Sequence, residues 1–168
     1  MIKILKYSAI FIILQVIILN NIHLFKIATP FIYLYVIIKM PVNLSRSQVI
    51  AISFLLGIII DTFFDTVGMH AAACSLAGMF RDPLMYFFTN KEIVENATPS
   101  YKTLGIGAFM KYVICLVALH HTALFSIESI SLFNPVLLIM RIFACVFFTV
   151  LIVFIVEAFN IERNKSEA

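Results

Sequence analysis

Residues 57–78 read GIIIDTFFDTVGMHAAACSLAG, and this stretch decides how the chain folds. Gly57, Asp61 and Asp65 follow one another at four-residue spacing, so on a helix they share one face, where the glycine admits a neighbouring backbone. Asp65 and Gly68 then mark a tight break. Small residues follow, and such residues let helices pack closely in lipid: Ala71, Ala72, Ala73, Ser75 and Gly78. We therefore predict a closely packed helical hairpin.

The composition places the whole chain in the membrane class. Of 168 residues, 62% are apolar, and only 12 are Lys or Arg and 9 are Asp or Glu, whereas globular chains are nearer a quarter charged. Spanning helices of about 20 residues would use most of this length and leave no soluble domain. We predict an all-α polytopic integral membrane protein forming one transmembrane domain, 1–168, with about six helices at 7–19, 27–38, 49–64, 68–88, 104–125 and 135–159.

The second segment is the shortest of these, and basic residues decide whether it counts. It opens at Pro30 after Thr29, which suits a capped helix start, and it could be tilted, partial or re-entrant, which would leave five spans. With six spans, Lys26 alone among the basic residues of the connections and termini lies opposite the rest, and the positive-inside rule then places both termini in the cytoplasm. No small-residue cleavage site follows the first apolar run, so we expect an uncleaved span.

Ionisable residues inside the spans mark candidate working positions, because each costs on the order of 3 kcal/mol to insert. A helical rise of about 1.5 Å per residue places Asp61, His120, His121 and Arg141 at one depth in the outer third of the membrane. We predict that Asp61 and Arg141 form an ion pair, the alternative being that each faces a water-filled crevice separately.

In the inner half, Lys111 either extends its ammonium group to the membrane surface or pairs with Glu157. Arg81 and Asp82 lie in the fourth helix, just before Pro83. These residues form a second candidate layer of interior contacts.

Catalytic and metal-binding interpretations are weaker. Asp61 and Asp65 could suggest an intramembrane aspartyl peptidase, but one-turn spacing would put the second acid at the surface rather than across a cleft. His120 and His121 point about 100° apart on a helix, so hydrogen bonding is favoured over shared metal ligation, for them and for His70. We expect no metal, no cofactor and no nucleic-acid binding.

Several motifs together resemble the rod shape-determining protein MreD family. The order Gly57-x-x-x-Asp61, Asp65 and Gly68-Met69-His70-Ala71-Ala72 carries the resemblance. Two weaker features support it: Asn43-Leu44-Ser45-Arg46 before the third helix, and His120-His121-x-x-Leu124-Phe125-x-x-Glu128 at the end of the fifth.

The resemblance implies a non-catalytic protein of the bacterial cytoplasmic membrane that helps maintain cell shape by organising peptidoglycan synthesis. Its direct partner would be MreC, with MreB, RodA and a penicillin-binding transpeptidase as indirect partners and lipid as its solvent. The implied fold is similar to the substrate-binding subunits of energy-coupling-factor transporters. The alternative function is therefore a vitamin-binding subunit of such a transporter, with Asp61, His120 and Arg141 lining an outward pocket.

Overall fold

The computed structural model describes residues 11–15, 29–89, 97–129 and 134–166, the last range with side chains to residue 159. This part of the chain is helical and contains no strand, which confirms the all-α prediction. Residues 11–15 are helical. The other helices are α1 Leu34–Ile38, α2 Arg46–Phe64, α3 Met69–Phe88, α4 Tyr101–Leu104, α5 Ile106–Glu128 and α6 Pro135–Ser166.

Three helices in the described ranges are long and apolar enough to cross a membrane: Arg46–Phe64, Ile106–Glu128 and Pro135–Phe159. This agrees with the membrane class that the composition indicates. Helix α3 has similar length, but Arg81 and Asp82 lower its mean hydropathy. A count of six spans stays a prediction, and most of the expected first helix, 7–19, lies outside the described residues.

Local sequence explains most helix ends. Ser45 caps α2 through a capping box: the Ser45 side chain accepts from the Gln48 backbone N–H, and the Gln48 side chain accepts from the Ser45 backbone N–H. Helix α2 therefore begins at Arg46, earlier than the predicted residue 49. Asn134 caps α6, its side chain accepting from the Leu137 N–H at 3.2 Å.

The predicted helix 104–125 is displaced in the structure. Gly105 has a φ of 83°, a conformation that separates the single turn α4 from α5. Helix α5 accordingly begins at Ile106 and continues to Glu128.

Helix α3 lies at the centre of the packing. It contacts α2 along its length and α5 on another side, while α6 packs against α5. Residues 29–40, which we call the central segment, also pack against α3 and α5 through α1, and all residues from Phe31 to Ile38 are buried. The core is therefore built around the central segment, which contains only the short helix α1 rather than a full-length spanning helix.

Only Leu34–Ile38 of the predicted 27–38 segment is helical within the described residues, so the helix does not begin at Pro30 and the partial alternative agrees with the structure. Helix α1 begins at Leu34 and spans about 7.5 Å, far less than a bilayer core of about 30 Å. The reason is that side chains from distant helices bind the backbone before α1. The Gln15 side chain donates to the Pro30 carbonyl at 3.1 Å and accepts from the Ile32 N–H at 2.8 Å. Irregular backbone is tolerated at membrane depth where protein groups satisfy it in this way.

Candidate functional site

The α2–α3 hairpin brings two backbones into direct contact at Gly57. A Cβ atom added there would lie 2.4 Å from the Ala71 Cα atom and 2.7 Å from the His70 carbonyl oxygen, which no side chain tolerates. At Gly78 the neighbour is a side chain: an added Cβ atom would lie 2.6 Å from the Ser53 Oγ atom. Ala71 and Gly78 of α3 therefore lie inside the hairpin, and the close approach at Gly57 is the one that the Gly57 face predicts.

Asp61 caps the next helix in the chain. Its carboxylate accepts hydrogen bonds from the backbone N–H groups of His70 at 3.0 Å and Ala71 at 2.9 Å, and from the Thr66 hydroxyl at 2.5 Å. Helix α3 begins after Gly68, which has no side chain to cap it, so Asp61 supplies the missing acceptor. The positive end of the helix dipole compensates the buried charge, which explains a carboxylate that is only 6% exposed.

Asp65 and Gly68 form the turn. Asp65 has a φ of 54° and Gly68 a φ of 74°, both in the left-handed region. Glycine and aspartate are among the residues that adopt this conformation most readily. Asp65 is exposed and ends α2, so it lies apart from the buried Asp61 carboxylate.

The predicted Asp61–Arg141 ion pair is wrong. Arg141 donates instead to Glu128 at 2.9 Å, and its guanidinium carbon lies 4.8 Å from the centre of the Phe125 ring. The depth estimate correctly placed both residues at the same end of the molecule. Asp61, however, is stabilised by the N-terminal N–H groups of α3 and does not need a basic side chain as its partner. Arg141 therefore pairs with the acid at the end of the helix that precedes its own.

Tyr33 joins two of the predicted histidines. Its hydroxyl lies 2.8 Å from His70 Nδ1 and 3.1 Å from His120 Nε2. A phenol has one hydrogen, so it donates to one histidine and accepts from the other. All three residues are almost fully buried, and His120 Nδ1 has no hydrogen-bond partner among the described residues. The Cys74 sulfur lies 3.8 Å from His120 Nε2, so Tyr33, His70, Cys74 and His120 form one buried polar cluster.

His121 belongs to a separate chain of hydrogen bonds. Its Nδ1 lies 2.8 Å from the Val117 carbonyl, which can only accept, so Nδ1 carries the proton. Its Nε2 lies 3.3 Å from the Thr149 hydroxyl oxygen, and this oxygen accepts from the Phe31 N–H at 3.0 Å. These contacts connect α5, α6 and the central segment through the His121 ring.

The two adjacent histidines thus serve different partners, as their divergence on the helix predicts. Their rings lie 5.3 Å apart at 74°. The Phe31 ring lies between the polar groups, within 5.5 Å of the His70 ring and 5.3 Å of the His121 ring, centre to centre. Within the described ranges, no group of three or more His, Cys, Asp or Glu residues is placed to hold a metal ion.

A cleft opens beside this cluster, at the end of the molecule that carries the α2–α3 turn. A cavity of about 200 Å³ is lined by residues that include Phe31, Phe64, His70, Phe125, Glu128 and Arg141. A second cavity of about 280 Å³ shares Phe125, Glu128 and Arg141 and extends to Asn134. Three of the predicted positions therefore differ in access: His70 and Arg141 line the cleft, whereas Asp61 does not.

Charged groups also meet at the other end of the molecule. Glu157 accepts from the Tyr35 hydroxyl at 2.6 Å and from the Lys39 ammonium at 3.1 Å, so its partner is Lys39 rather than Lys111. Lys111 is exposed, as expected if its ammonium group extends to the membrane surface. The fully buried Arg81 contacts Asp82 at 2.5 Å and donates to the Met40 carbonyl.

Sequence reasoning missed the polar residues that connect the central segment to the rest of the molecule: Gln15, Tyr33, Tyr35, Lys39 and Thr149. Each is unremarkable within its own segment. The one available signal was that Gln15 and Thr149 are polar residues inside apolar runs.

No known protein family, no curated protein and no solved structure matches this chain.

Proposed function

We propose that this chain is a non-catalytic membrane scaffold of the bacterial cell-elongation machinery, of the MreD type, which maintains cell shape by organising peptidoglycan synthesis with MreC. MreB, RodA and a penicillin-binding transpeptidase are its indirect partners. The proposal includes a multi-pass arrangement in the cytoplasmic membrane, with both termini in the cytoplasm.

The observation that supports this proposal is that the motif residues all have structural roles in the α2–α3 hairpin. Gly57 permits the contact between helices, Asp61 caps α3, and Asp65 and Gly68 form the turn. His70 then anchors the hairpin to the central segment through Tyr33. Residues that all serve one rigid hairpin suit a protein that works by holding partners in a defined arrangement.

The geometry disfavours the peptidase alternative. Both Asp61 carboxylate oxygens already accept hydrogen bonds from backbone N–H groups, and Asp65 is exposed in the turn. An aspartyl peptidase needs two carboxyl groups close enough to share a proton across a cleft. Asp61 is therefore better understood as a structural group.

Partner helices would have to bind large apolar side chains in this proposal. Ala71 and Gly78 of α3 pack against α2, so these small residues are already used within the hairpin. Among the described helices, α6 packs mainly against α5. On its exposed side it presents Phe143, Phe147, Leu151 and Ile155 at four-residue spacing. We take this stripe as the face for a partner transmembrane helix, bound mainly by van der Waals packing.

Purification of the full-length protein from its own membranes after crosslinking tests the proposal. Recovery of MreC with wall-synthesis enzymes would support the scaffold. Recovery of a vitamin with a partner ATPase would instead support the transporter alternative and sink the scaffold.

Site-specific photo-crosslinkers sharpen this experiment. A crosslinker at Phe147, which is 63% exposed on α6, should capture MreC. The matched position is Phe54, which is 45% exposed on α2 and should capture none. Capture from Phe54 alone would move the contact to α2, and capture from neither would contradict the assigned face.

A further inference from the structure

The cleft between the end of α5 and the start of α6 has the size of a small-molecule site. Its two cavities adjoin at Phe125, Glu128 and Arg141. Their volumes, about 200 and 280 Å³, together fall in the usual range for ligand pockets, about 300–1,000 Å³. Such pockets combine apolar walls with a few polar groups that converge on the ligand, and this cleft has both features.

The polar groups of the cleft carry opposite charges. Arg141 and Glu128 lie 2.9 Å apart, and their side chains are 35% and 39% exposed. Ion pairs with this exposure contribute little to stability, so a ligand can exchange them for its own groups at small cost. Arg141 uses one of its several donors on Glu128 within the described contacts.

A ligand with a single charge would meet one group of like sign beside its partner. A ligand with an ammonium group and an acidic group close together would satisfy both residues with charge-assisted hydrogen bonds. The cleft therefore selects for both charges rather than for one.

The walls favour an apolar part attached to these charges. The Arg141 guanidinium lies over the face of the Phe125 ring, with 4.8 Å between the guanidinium carbon and the ring centre. Phe31 and Phe64 line the deeper part, and their ring centres lie 6.2 Å apart. His70 lines the same part with its ring held by Tyr33, so the floor is fixed before a ligand binds.

We propose that this cleft binds a small zwitterion, with its ammonium group on Glu128, its acidic group on Arg141 and its apolar part against Phe31 and Phe64. Two sources supply this chemistry: a free amino acid with an apolar side chain, or the headgroup of an aminophospholipid. The proposal does not depend on the scaffold function.

Thermal unfolding of the full-length protein in phosphatidylglycerol bilayers, which carry no ammonium group, tests the proposal. The probes are free phenylalanine, free phosphoethanolamine and phosphatidylethanolamine added to the bilayer. At a hundredfold excess over Kd we expect a rise in Tm of about 5 °C or more for the correct source. Arg141→Gln and Glu128→Gln should each abolish this rise, whereas Lys111→Gln, an exposed charge on the same helix α5 as Glu128, should retain it.

The probes separate the sources. A rise with either free probe identifies a soluble ligand, and a rise with the phospholipid alone identifies its headgroup. No rise with any probe overturns the proposal, as does a rise that both cleft variants retain. A control on the unaltered chain covers variants that fail to fold: ethanolamine and inorganic phosphate each carry charge of one sign only and should bind at least tenfold more weakly than phosphoethanolamine if it stabilises. Equal binding of either would overturn the proposal.

Discussion

Asp61 shows how a single buried charge can be anticipated while its partner is not. The cost of inserting a carboxylate predicts that it must be compensated, and it is. The compensation comes from the N–H groups of His70 and Ala71, which lie nine and ten residues further along the chain. Backbone donors of this kind have no signature in the side-chain sequence.

Replacing Asp61 with alanine should destabilise the protein by about 1–3 kcal/mol, because two N–H groups and the Thr66 hydroxyl lose their acceptor in a buried site. Thermal unfolding in detergent, followed by circular dichroism, measures this. Asp65→Asn is the matched control, since asparagine also adopts the left-handed conformation, and it should change stability by less than about 0.5 kcal/mol. Equal losses would show that the turn, rather than the cap, is what Asp61 supports.

At the scale of elements, the hairpin was the most predictable part of the fold. Gly57, Asp61 and Gly68 lie within twelve residues, so helix periodicity and turn chemistry relate them directly. The central segment was the least predictable. Its apolar sequence is compatible with a helix. The side chains of Gln15 and Thr149, which lie in other parts of the chain, instead bind its backbone and replace the first helical hydrogen bonds.

Gly57→Ala should cost about 1–3 kcal/mol, because the new methyl group would force α2 and α3 apart. The control is Gly107→Ala, where a Cβ atom meets nothing within 4 Å, and the better helix propensity of alanine should leave stability unchanged or slightly higher. Unfolding of both variants in the same detergent is the measurement. A tolerated Gly57→Ala would mean that the two helices do not approach as closely as described.

Thr149→Val tests how the central segment is held. Valine keeps the shape but removes the hydroxyl shared by the Phe31 N–H and His121 Nε2, and we expect a loss of about 1–3 kcal/mol. Thr62→Val is the control, because the exposed Thr62 hydroxyl donates only to the Ile58 carbonyl of its own helix. Equal stability of the two variants would contradict the role assigned to Thr149.

At the scale of the whole molecule, polar contacts join the central segment to α6 near both of its ends. Phe31 meets Thr149 at one end, and Tyr35 and Lys39 meet Glu157 at the other. These contacts bridge more than a hundred residues of sequence. They hold the last long helix against the core, although α6 itself is mostly exposed.

A double-mutant cycle on Lys39 and Glu157 should give a coupling energy of about 0.5–3 kcal/mol. Lys39→Gln should cost more than Glu157→Gln, because the Glu157 side chain is 2% exposed, whereas the Lys39 side chain, at 21%, can reach water. The cycle is measured by unfolding of the two single variants and the double variant. Lys39 with Glu128, at the opposite end, is the control pair and should be additive. Additivity at Lys39 and Glu157 would rule out their contact.

The sequence by itself determined the membrane class, the helical architecture and the α2–α3 hairpin, because hydropathy, periodicity and turn chemistry act over a few residues. Only the tertiary structure decided which buried groups are partners. Tyr33 is hydrogen-bonded to histidines 37 and 87 residues away. Arg141 donates to Glu128, whereas Asp61 accepts from the N-terminal N–H groups of α3. The physical reason is that the cost of inserting a charged residue into the membrane constrains only the depth of that residue. Whether two side chains form a hydrogen bond depends on how their helices rotate and cross, and packing at residues such as Gly57 sets that geometry.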